Sequence, residues 1–261
     1  MITIVADTTA GLPLELLKEK GIPVVPQIVI FGEDSYRDDT ELDTATFLQK
    51  LKAASTLPKT AAPPPALYNP IFEEARKNKE PVVVIAPSAK VSGTVRAATV
   101  AAQDYPDVDV RVVDSLTIAG NLGSLVLMAH QWASEGLYAD TIVTRLHDRI
   151  VRGRIYFLVD TLEYLQKGGR IGGAKALLGE MLQIKPILTV RDGQVEPFEQ
   201  QRTKKRALAR LVEIVEEQCP KSPDSYLCVM QADALETETG ESRFARSCQL
   251  VAHGADWSGH P

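Results

Sequence analysis

The sequence predicts an α/β protein in two parts. Residues 1–152 form an α/β/α domain built on a parallel sheet, and residues 153–261 form a smaller α+β domain. Three observations carry this prediction. Short β-branched runs alternate with helical patterns in the first half. The run ILTVRDGQVEPFEQ in the second half is typical of a β-hairpin. The composition, 44% hydrophobic and 24% charged over 261 residues, is that of a globular protein.

The first half supplies the strands of the parallel sheet. Residues 2–6 predict a buried strand, and Asp7, Thr8 and Thr9 can cap the helix that follows. IPVVPQIVIFG predicts a strand that its prolines bend or place at an edge, and TLPKTAAPPP predicts a stiff connector. PVVVIAP and VDVRVVDS predict two further strands, each followed by a helix. Parallel pairing through right-handed crossovers follows from this alternation.

The second half changes character. RIYFLVD predicts a strand, and TLEYLQKGG predicts a short helix that its glycines end. Asp192-Gly193 lies near the turn of the predicted hairpin, and an amphipathic helix through Leu208, Leu211 and Val215 follows it. YLCVMQA predicts one more strand.

Composition excludes several classes of function. The net charge of −5 argues against a nucleic-acid binder, which needs a strong basic field. The sequence has no apolar run of about 20 residues and no signal-peptide pattern at its N-terminus. Three cysteines without metal-type spacing favour the reducing cytoplasm. Phosphate-loop, dinucleotide, nucleophile-elbow and zinc motifs do not occur, so we expect no catalytic residue, no metal and no cofactor.

Four polar loops follow predicted strand positions, at residues 7–9, 59–63, 88–94 and 114–115. If they converge on one edge of a parallel sheet, their hydroxyls and the helix N-termini beside them would form an anion site. A hydroxyl can donate to a carboxylate without bringing in a further charge. Taken singly, each loop is explained as well by ordinary helix capping.

Two arginines lie in segments whose sequence favours exposure. Arg170 comes directly after Gly168-Gly169, and Arg202 precedes a basic run at the start of the amphipathic helix. A guanidinium in such a place can meet an oxyanion or a partner protein. A helix end with a solvated arginine is the plainer interpretation.

The ordered set of motifs resembles the DegV family, whose FakB-type members bind fatty acids. The matching segments are VADTTAGLP, SYRDDTELDTATFLQKL, PKTAAPPP, APSAKVSGTVRAA, VVDSLTIAGNLG, DTLEYLQKGGRIGG and LQIKPILTVRDGQV. They occur in family order over residues 2–235, and DTLEYLQKGGRIG is the most specific of them.

This resemblance implies a carrier that binds one long-chain fatty acid and presents its carboxylate to a fatty-acid kinase subunit for acyl-phosphate formation. Transient membrane contact would accompany the exchange of lipid. Thr60 and Ser92 match the positions that hydrogen-bond the carboxylate. The expected ligand-binding set is Thr60, Ser92, Gly93, Thr94, Asp114 and Ser115. Arg170 and Arg202 match basic positions that engage the kinase or the acyl phosphate.

The chain departs from the family pattern in two places. Thr60 is followed by Ala61-Ala62-Pro63 where T-S-Q-P is common, so a hydroxyl and an amide are missing. The tail, FARSCQLVAHGADWSGHP, lacks the glycine-rich loop of the family. His253 and His260 have no context that assigns either of them to the carboxylate site.

Two other functions compete with the carrier. One is an enzyme that acts on a small phosphorylated or carboxylated metabolite at the same anion-binding loops. The other is a structural or regulatory module that has kept the fold without the ligand, because a fold alone does not fix a function.

Overall fold

A computed structural model describes residues 1–220, 222 and 225–230. Its strands, in chain order, are β1 (Thr3–Asp7), β2 (Val24–Val25), β3 (Ile28–Phe31), β4 (Asp34–Arg37), β5 (Lys59–Ala61), β6 (Val82–Ala86), β7 (Val110–Asp114), β8 (Tyr156–Leu158), β9 (Lys185–Arg191) and β10 (Gln194–Gln201). Its α-helices are α1 (Leu14–Glu19), α2 (Thr44–Ala53), α3 (Asn69–Asn78), α4 (Thr94–Gln103), α5 (Ala119–Ser134), α6 (Ala139–Arg152), α7 (Glu163–Lys167) and α8 (Lys204–Gln218). Three 3-10 turns lie at Thr8–Ala10, Pro65–Tyr68 and Gly172–Leu177.

The first sheet is parallel, in the order β2-β1-β6-β7, and confirms the predicted α/β class. Side chains alternate between its two faces because successive residues of a strand point to opposite sides. Ile4 and Ala6 of β1 pack with α5 and α6, whereas Val5 packs with Phe72 of α3. Both faces are therefore covered by helices, which explains why β6 reads as an unbroken apolar run.

The first half of the chain also forms a small antiparallel sheet, β4-β3-β5. IPVVPQIVIFG bends as predicted, since β2 and β3 are separated at residues 26–27. The proline-rich connector is not only a connector, because Lys59–Ala61 forms β5 and pairs with β3. Strand β4 was not predicted, because its sequence DSYR has no apolar run. Asp7 caps the 3-10 turn at Thr8–Ala10, and α1 begins only after Pro13.

The second half carries an antiparallel sheet, β10-β9-β8. The predicted hairpin is confirmed: Asp192 and Gly193 both have positive φ, 49° and 81°, as a tight two-residue turn requires. Ile187 of β9 packs against α8, and Leu188 packs on the opposite face against the segment from Leu162 to Leu177. Helix α6 ends at Arg152, where the sequence places the domain boundary; the division into two domains stays a prediction.

One predicted strand does not form within the described residues. The described part of YLCVMQA, residues 226–230, has no strand pairing, and residues 231 and 232 lie outside the described residues. This segment instead lies against the start of α5. A Cβ built on Gly120 would come within 2.5 Å of the Cys228 Sγ, and one built on Gly11 would come within 2.5 Å of the Met230 Cε. Its apolar side chains thus pack over glycines rather than in a sheet.

Candidate functional site

The loop at residues 88–94 leaves β6 at the carboxyl edge of the parallel sheet. Ser88 is fully buried, and its Oγ donates to the carbonyl oxygen of Gly193 at 2.7 Å. The same Oγ accepts from the backbone N of Lys90 at 3.2 Å. The turn of the β9–β10 hairpin is therefore bonded to the start of this loop, across 105 residues of sequence.

Ser92, Gly93 and Thr94 form the end of the loop and the start of α4. The Ser92 Oγ is half-buried and lies 2.9 Å from the Thr94 Oγ1, and it accepts from the Thr94 backbone N at 3.3 Å. Gly93 occupies the N-cap position and is exposed. The Ser92 hydroxyl thus lies where the unpaired N–H groups of a helix start favour an anion.

Thr60 lies on β5, in the small antiparallel sheet. It pairs with Val29 across β3 and β5, and its exposed side chain makes no hydrogen bond within the described residues. Ala62, two residues later, lies 3.3 Å from where a Cβ of Gly93 would be. The loops at residues 59–63 and 88–94 are therefore neighbours, as the resemblance implies.

Asp114 ends β7 and Ser115 follows it at the same sheet edge, and their side-chain hydrogen bonds stay within the neighbouring loops. The Asp114 Oδ1 accepts from the backbone N of Leu116 at 2.9 Å and of Ala89 at 3.3 Å. Ser115 is fully buried and exchanges two 3.3 Å bonds with the backbone of Thr117. These contacts shape the edge, and a direct role in ligand binding stays a prediction.

A buried carboxylate, Asp7, lies behind Ser92. Its Oδ1 accepts from the Thr9 Oγ1 at 2.5 Å and the Thr9 backbone N at 3.0 Å. Its Oδ2 accepts from the Gln27 Nε2 at 2.7 Å and the Thr94 Oγ1 at 3.3 Å. The Gln27 Nε2 also lies 3.0 Å from the Thr94 Oγ1. The sequence pattern did not reveal this network, because Gln27 and Thr94 lie 20 and 87 residues away from Asp7.

Burial dominates the electrostatics of this carboxylate. Asp7 is only 2% exposed, and this loss of water raises its pKa from 3.8 to about 6, against the opposing effect of the hydrogen bonds from Thr9, Thr94 and Gln27. Burial, and then the negative charge of Asp7, raise the pKa of Tyr68 as well. The Tyr68 hydroxyl has no hydrogen-bond partner among the described residues.

The two arginines differ in position. Arg170 reaches the site: its Nε donates to the carbonyl oxygen of Val91 at 3.1 Å, one residue before Ser92, and its Nη1 donates to Gly168 at 2.6 Å. Its side chain is nevertheless exposed. Arg202 is also exposed and precedes Thr203, the N-cap of α8. No hydrogen bond or ion pair within the described residues joins Arg202 to the loop at residues 88–94.

The described part of the chain offers neither a metal site nor a membrane span. No group of three or more histidine, cysteine or acidic side chains there could hold a metal ion. None of the helices over the same residues combines the length and the apolar character that crossing a bilayer requires. His253 and His260, which the sequence left unassigned, lie outside the described residues.

Comparison with known proteins decides the family. A family model described as an uncharacterised protein family, DegV, matches residues 1–249. The chain belongs to the DegV family. A DegV domain-containing protein of Streptomyces coelicolor is 39% identical over 85% of this chain and 79% of its own length. Protein DegV of Bacillus subtilis is 33% identical over 89% of this chain and 83% of its own.

Solved structures of DegV proteins share the fold. A fatty-acid-binding DegV family protein from Thermus thermophilus superposes with a TM-score of 0.78 at 35% identity, over 84% of this chain and 78% of that one. DegV of Bacillus subtilis, described as a fatty acid binding protein, gives a TM-score of 0.75 at 33% identity over the same shares. The resemblance found in the sequence motifs is thus confirmed at the level of family and fold.

Proposed function

We propose that this protein binds a long-chain fatty acid and holds its carboxylate at the loop of residues 88–94. The Ser92 hydroxyl is the observation that carries this proposal. It is half-buried at the start of α4, and the Arg170 guanidinium bonds the preceding carbonyl. Ala62, two residues after the exposed Thr60, lies against Gly93, the residue after Ser92. Two solved relatives with the same fold are described as fatty-acid-binding proteins, which supports the same class of ligand here.

The hydroxyls suit a carboxylate better than they suit catalysis. Ser92 and Thr60 can each donate one hydrogen bond to an oxygen, and α4 adds the positive end of its dipole. A charge-assisted hydrogen bond of this kind contributes about 1.5–3 kcal/mol. Each buried methylene of the acyl chain adds about 0.8 kcal/mol, so a long chain binds tightly with few polar contacts.

The second half of the proposal is that the bound carboxylate is presented to a partner fatty-acid kinase, which forms the acyl phosphate. Arg170 and Arg202 are exposed, so they are open to a docking surface or a phosphate. We expect this exchange in the cytoplasm, where the free thiols of Cys219 and Cys228 stay reduced, and with transient membrane contact when lipid is loaded.

Mass spectrometry of lipid extracted from the purified protein tests the ligand. We expect a stoichiometric long-chain fatty acid after expression in a bacterial host. Protein that carries no lipid and binds no added palmitate would refute the proposal. Recovery of a small phosphorylated metabolite instead would favour the enzyme alternative at the same loops.

A further inference from the structure

Ser92 is joined to the buried Asp7 through a single side chain, Thr94. The Thr94 Oγ1 lies 2.9 Å from the Ser92 Oγ and 3.3 Å from the Asp7 Oδ2, and Thr94 is 1% exposed. We propose that Asp7, Thr94 and Ser92 form a relay in which Asp7, a positioning residue, sets the direction of the Ser92 hydrogen and couples carboxylate binding to the uptake of one proton. This inference rests on the proposed function.

The relay follows from counting hydrogens. The Thr94 hydroxyl has one hydrogen and three polar neighbours, namely Ser92, Gln27 and Asp7. The Gln27 Nε2 can only donate, so the Thr94 hydrogen goes either to Asp7 or to Ser92. If the Thr94 hydrogen goes to Asp7, Ser92 must donate its own hydrogen to Thr94. If it goes to Ser92, Asp7 must be protonated and donate to Thr94.

The charge of Asp7 decides between the two arrangements. An ionised Asp7 attracts the Thr94 hydrogen, and Ser92 then points its own hydrogen at Thr94 instead of at a ligand. A protonated Asp7 donates to Thr94, Thr94 donates to Ser92, and the Ser92 hydrogen is free for the ligand carboxylate. One proton comes from solvent for each carboxylate bound, and no bond between heavy atoms changes.

The surroundings of Asp7 favour proton uptake. The hydrogen bonds that it receives from the described residues all come from neutral groups, on Thr9, Gln27 and Thr94. A ligand carboxylate at Ser92 would add a second negative charge only two hydroxyls away. Like charges so placed raise the pKa of the group that is already buried, so binding moves the pKa of Asp7 further above about 6.

Among the described residues, few other titratable groups lie near β1, and they are distinct from the contacts that join Asp7 to Ser92. Tyr68 faces Asp7 from the 3-10 turn before α3. Asp38 lies beyond Thr8, whose Oγ1 donates to it at 2.8 Å, and burial raises the pKa of Asp38 too. Arg96 on α4 is exposed, and His130 near the end of α5 interacts with Lys20. None of these groups belongs to the chain of contacts from Asp7 to Ser92.

The sign of the pH dependence follows from this coupling. The protonated form of Asp7 binds the ligand better, so affinity is highest below the pKa of the free protein, about 6, and falls as pH rises above it. The affinity can fall by at most roughly tenfold per pH unit, and it stops falling above the pKa that Asp7 has in the complex. A fatty-acid carboxyl with an ordinary pKa is already largely ionised from pH 6.5 upward, so its own titration does not produce this fall.

Palmitate affinity of the delipidated full-length protein, measured at pH 6.5 and 8.5, tests the relay. We expect wild-type affinity to fall about tenfold between the two values. Thr94→Val keeps the volume and removes the relay hydroxyl, so it should bind weakly with no such fall. Thr9→Val is the matched control, because Thr9 bonds the other oxygen of Asp7 and has no contact with Ser92. It should keep a pH-dependent affinity.

Asp7→Asn gives a second line of evidence if Thr94→Val folds poorly. It removes the group that titrates, so whatever affinity it keeps should be the same at both pH values. Calorimetry of the wild type in two buffers should show proton uptake on binding. A pH fall that persists in Thr94→Val, or a wild type without any fall, overturns the relay alone. A wild type that binds no palmitate at either pH overturns the proposed function and the relay with it.

Discussion

Polar side chains are buried at the carboxyl edge of the parallel sheet, whereas along residues 160–170 they are exposed. At the sheet edge, Asp7, Thr94 and Ser88 are at most 2% exposed and bonded to groups far away in sequence. Along residues 160–170 the charged side chains are exposed, as those of the ion pair between Lys167 and Glu163 are. Buried, mutually bonded groups hold a fixed geometry, whereas exposed charges stay free to meet a partner.

This contrast separates two tasks. Fixing the direction of a hydroxyl requires neighbours that cannot move, which the sheet edge supplies. Docking another protein requires charges that cost little to leave in water, which the second segment supplies. Arg170 connects the two, since its exposed guanidinium bonds the carbonyl of Val91 within the sheet-edge loop.

The largest expected effect concerns the burial of Asp7. Its folded pKa of about 6 lies above the unfolded value of 3.8, so folding favours the protonated form. The contribution of Asp7 to stability is therefore greatest below pH 3.8 and falls as pH rises to about 6, by about 3 kcal/mol in all. The free energy of unfolding in urea should be compared for the wild type and Asp7→Asn at pH 4 and 7. Between these pH values the wild type should lose most of this roughly 3 kcal/mol relative to the variant. An equal difference between the two proteins at both pH values would contradict it.

The next effect concerns the bond between the two halves of the chain. Gly193 has φ +81°, and a Cβ there would overlap the buried Ser88 Oγ. Gly193→Ala should therefore cost about 2–3 kcal/mol of unfolding free energy, from backbone strain and the lost contact. Gly169→Ala is the matched control: φ is +74°, but nothing lies within 4 Å, so we expect about 1 kcal/mol. Equal losses in urea unfolding would mean that the Ser88 contact is not important.

The third effect separates lipid retention from transfer. Arg170→Ala and Arg202→Ala should retain fatty acid almost fully but lower acyl-phosphate formation by a cognate kinase about tenfold, the value of one charge-assisted contact. Arg154→Ala is the control, because Arg154 is exposed and bonds only neighbouring carbonyls. If lipid retention collapses while transfer per bound lipid is unchanged, the arginines belong to the carboxylate site instead.

The smallest effect is expected at the exposed ion pair. Lys167 and Glu163 are both more than half exposed, so water screens their attraction. Lys167→Ala should change the free energy of unfolding by less than about 0.5 kcal/mol. A loss above about 1 kcal/mol in urea unfolding would show that this segment is held as tightly as the sheet edge.

Local signals predicted most of the fold. The turn at Asp192-Gly193, the short helix before Gly168 and the buried strand β6 all follow from residues within a few positions of one another. Strands β4 and β5 were missed because DSYR and KTA have no apolar pattern, and they form only by pairing with β3. The segment at residues 226–230 has a strand pattern but packs over glycines instead.

In the candidate site, too, local motifs predict some residues and not others. Ser92 and Thr60 were predicted because each lies in a motif of its own. Gln27 and Asp7 were not recognised as partners, since a glutamine within a strand pattern carries no sign of a contact with Thr94 67 positions later. Arg170 was predicted from its motif, but only the structure gives its bond to Val91.

Palmitate affinity of Ser92→Ala is the most direct test of the claim that the sheet edge holds a fatty-acid carboxylate. We expect a ten- to hundredfold loss, the value of a hydrogen bond to a charged group. Thr99→Ala removes an exposed hydroxyl from the same helix, one that bonds only the carbonyl of Val95, and should leave the affinity nearly unchanged. Unchanged affinity in Ser92→Ala with a lower melting temperature would contradict the claim, because Ser92 would then only cap α4.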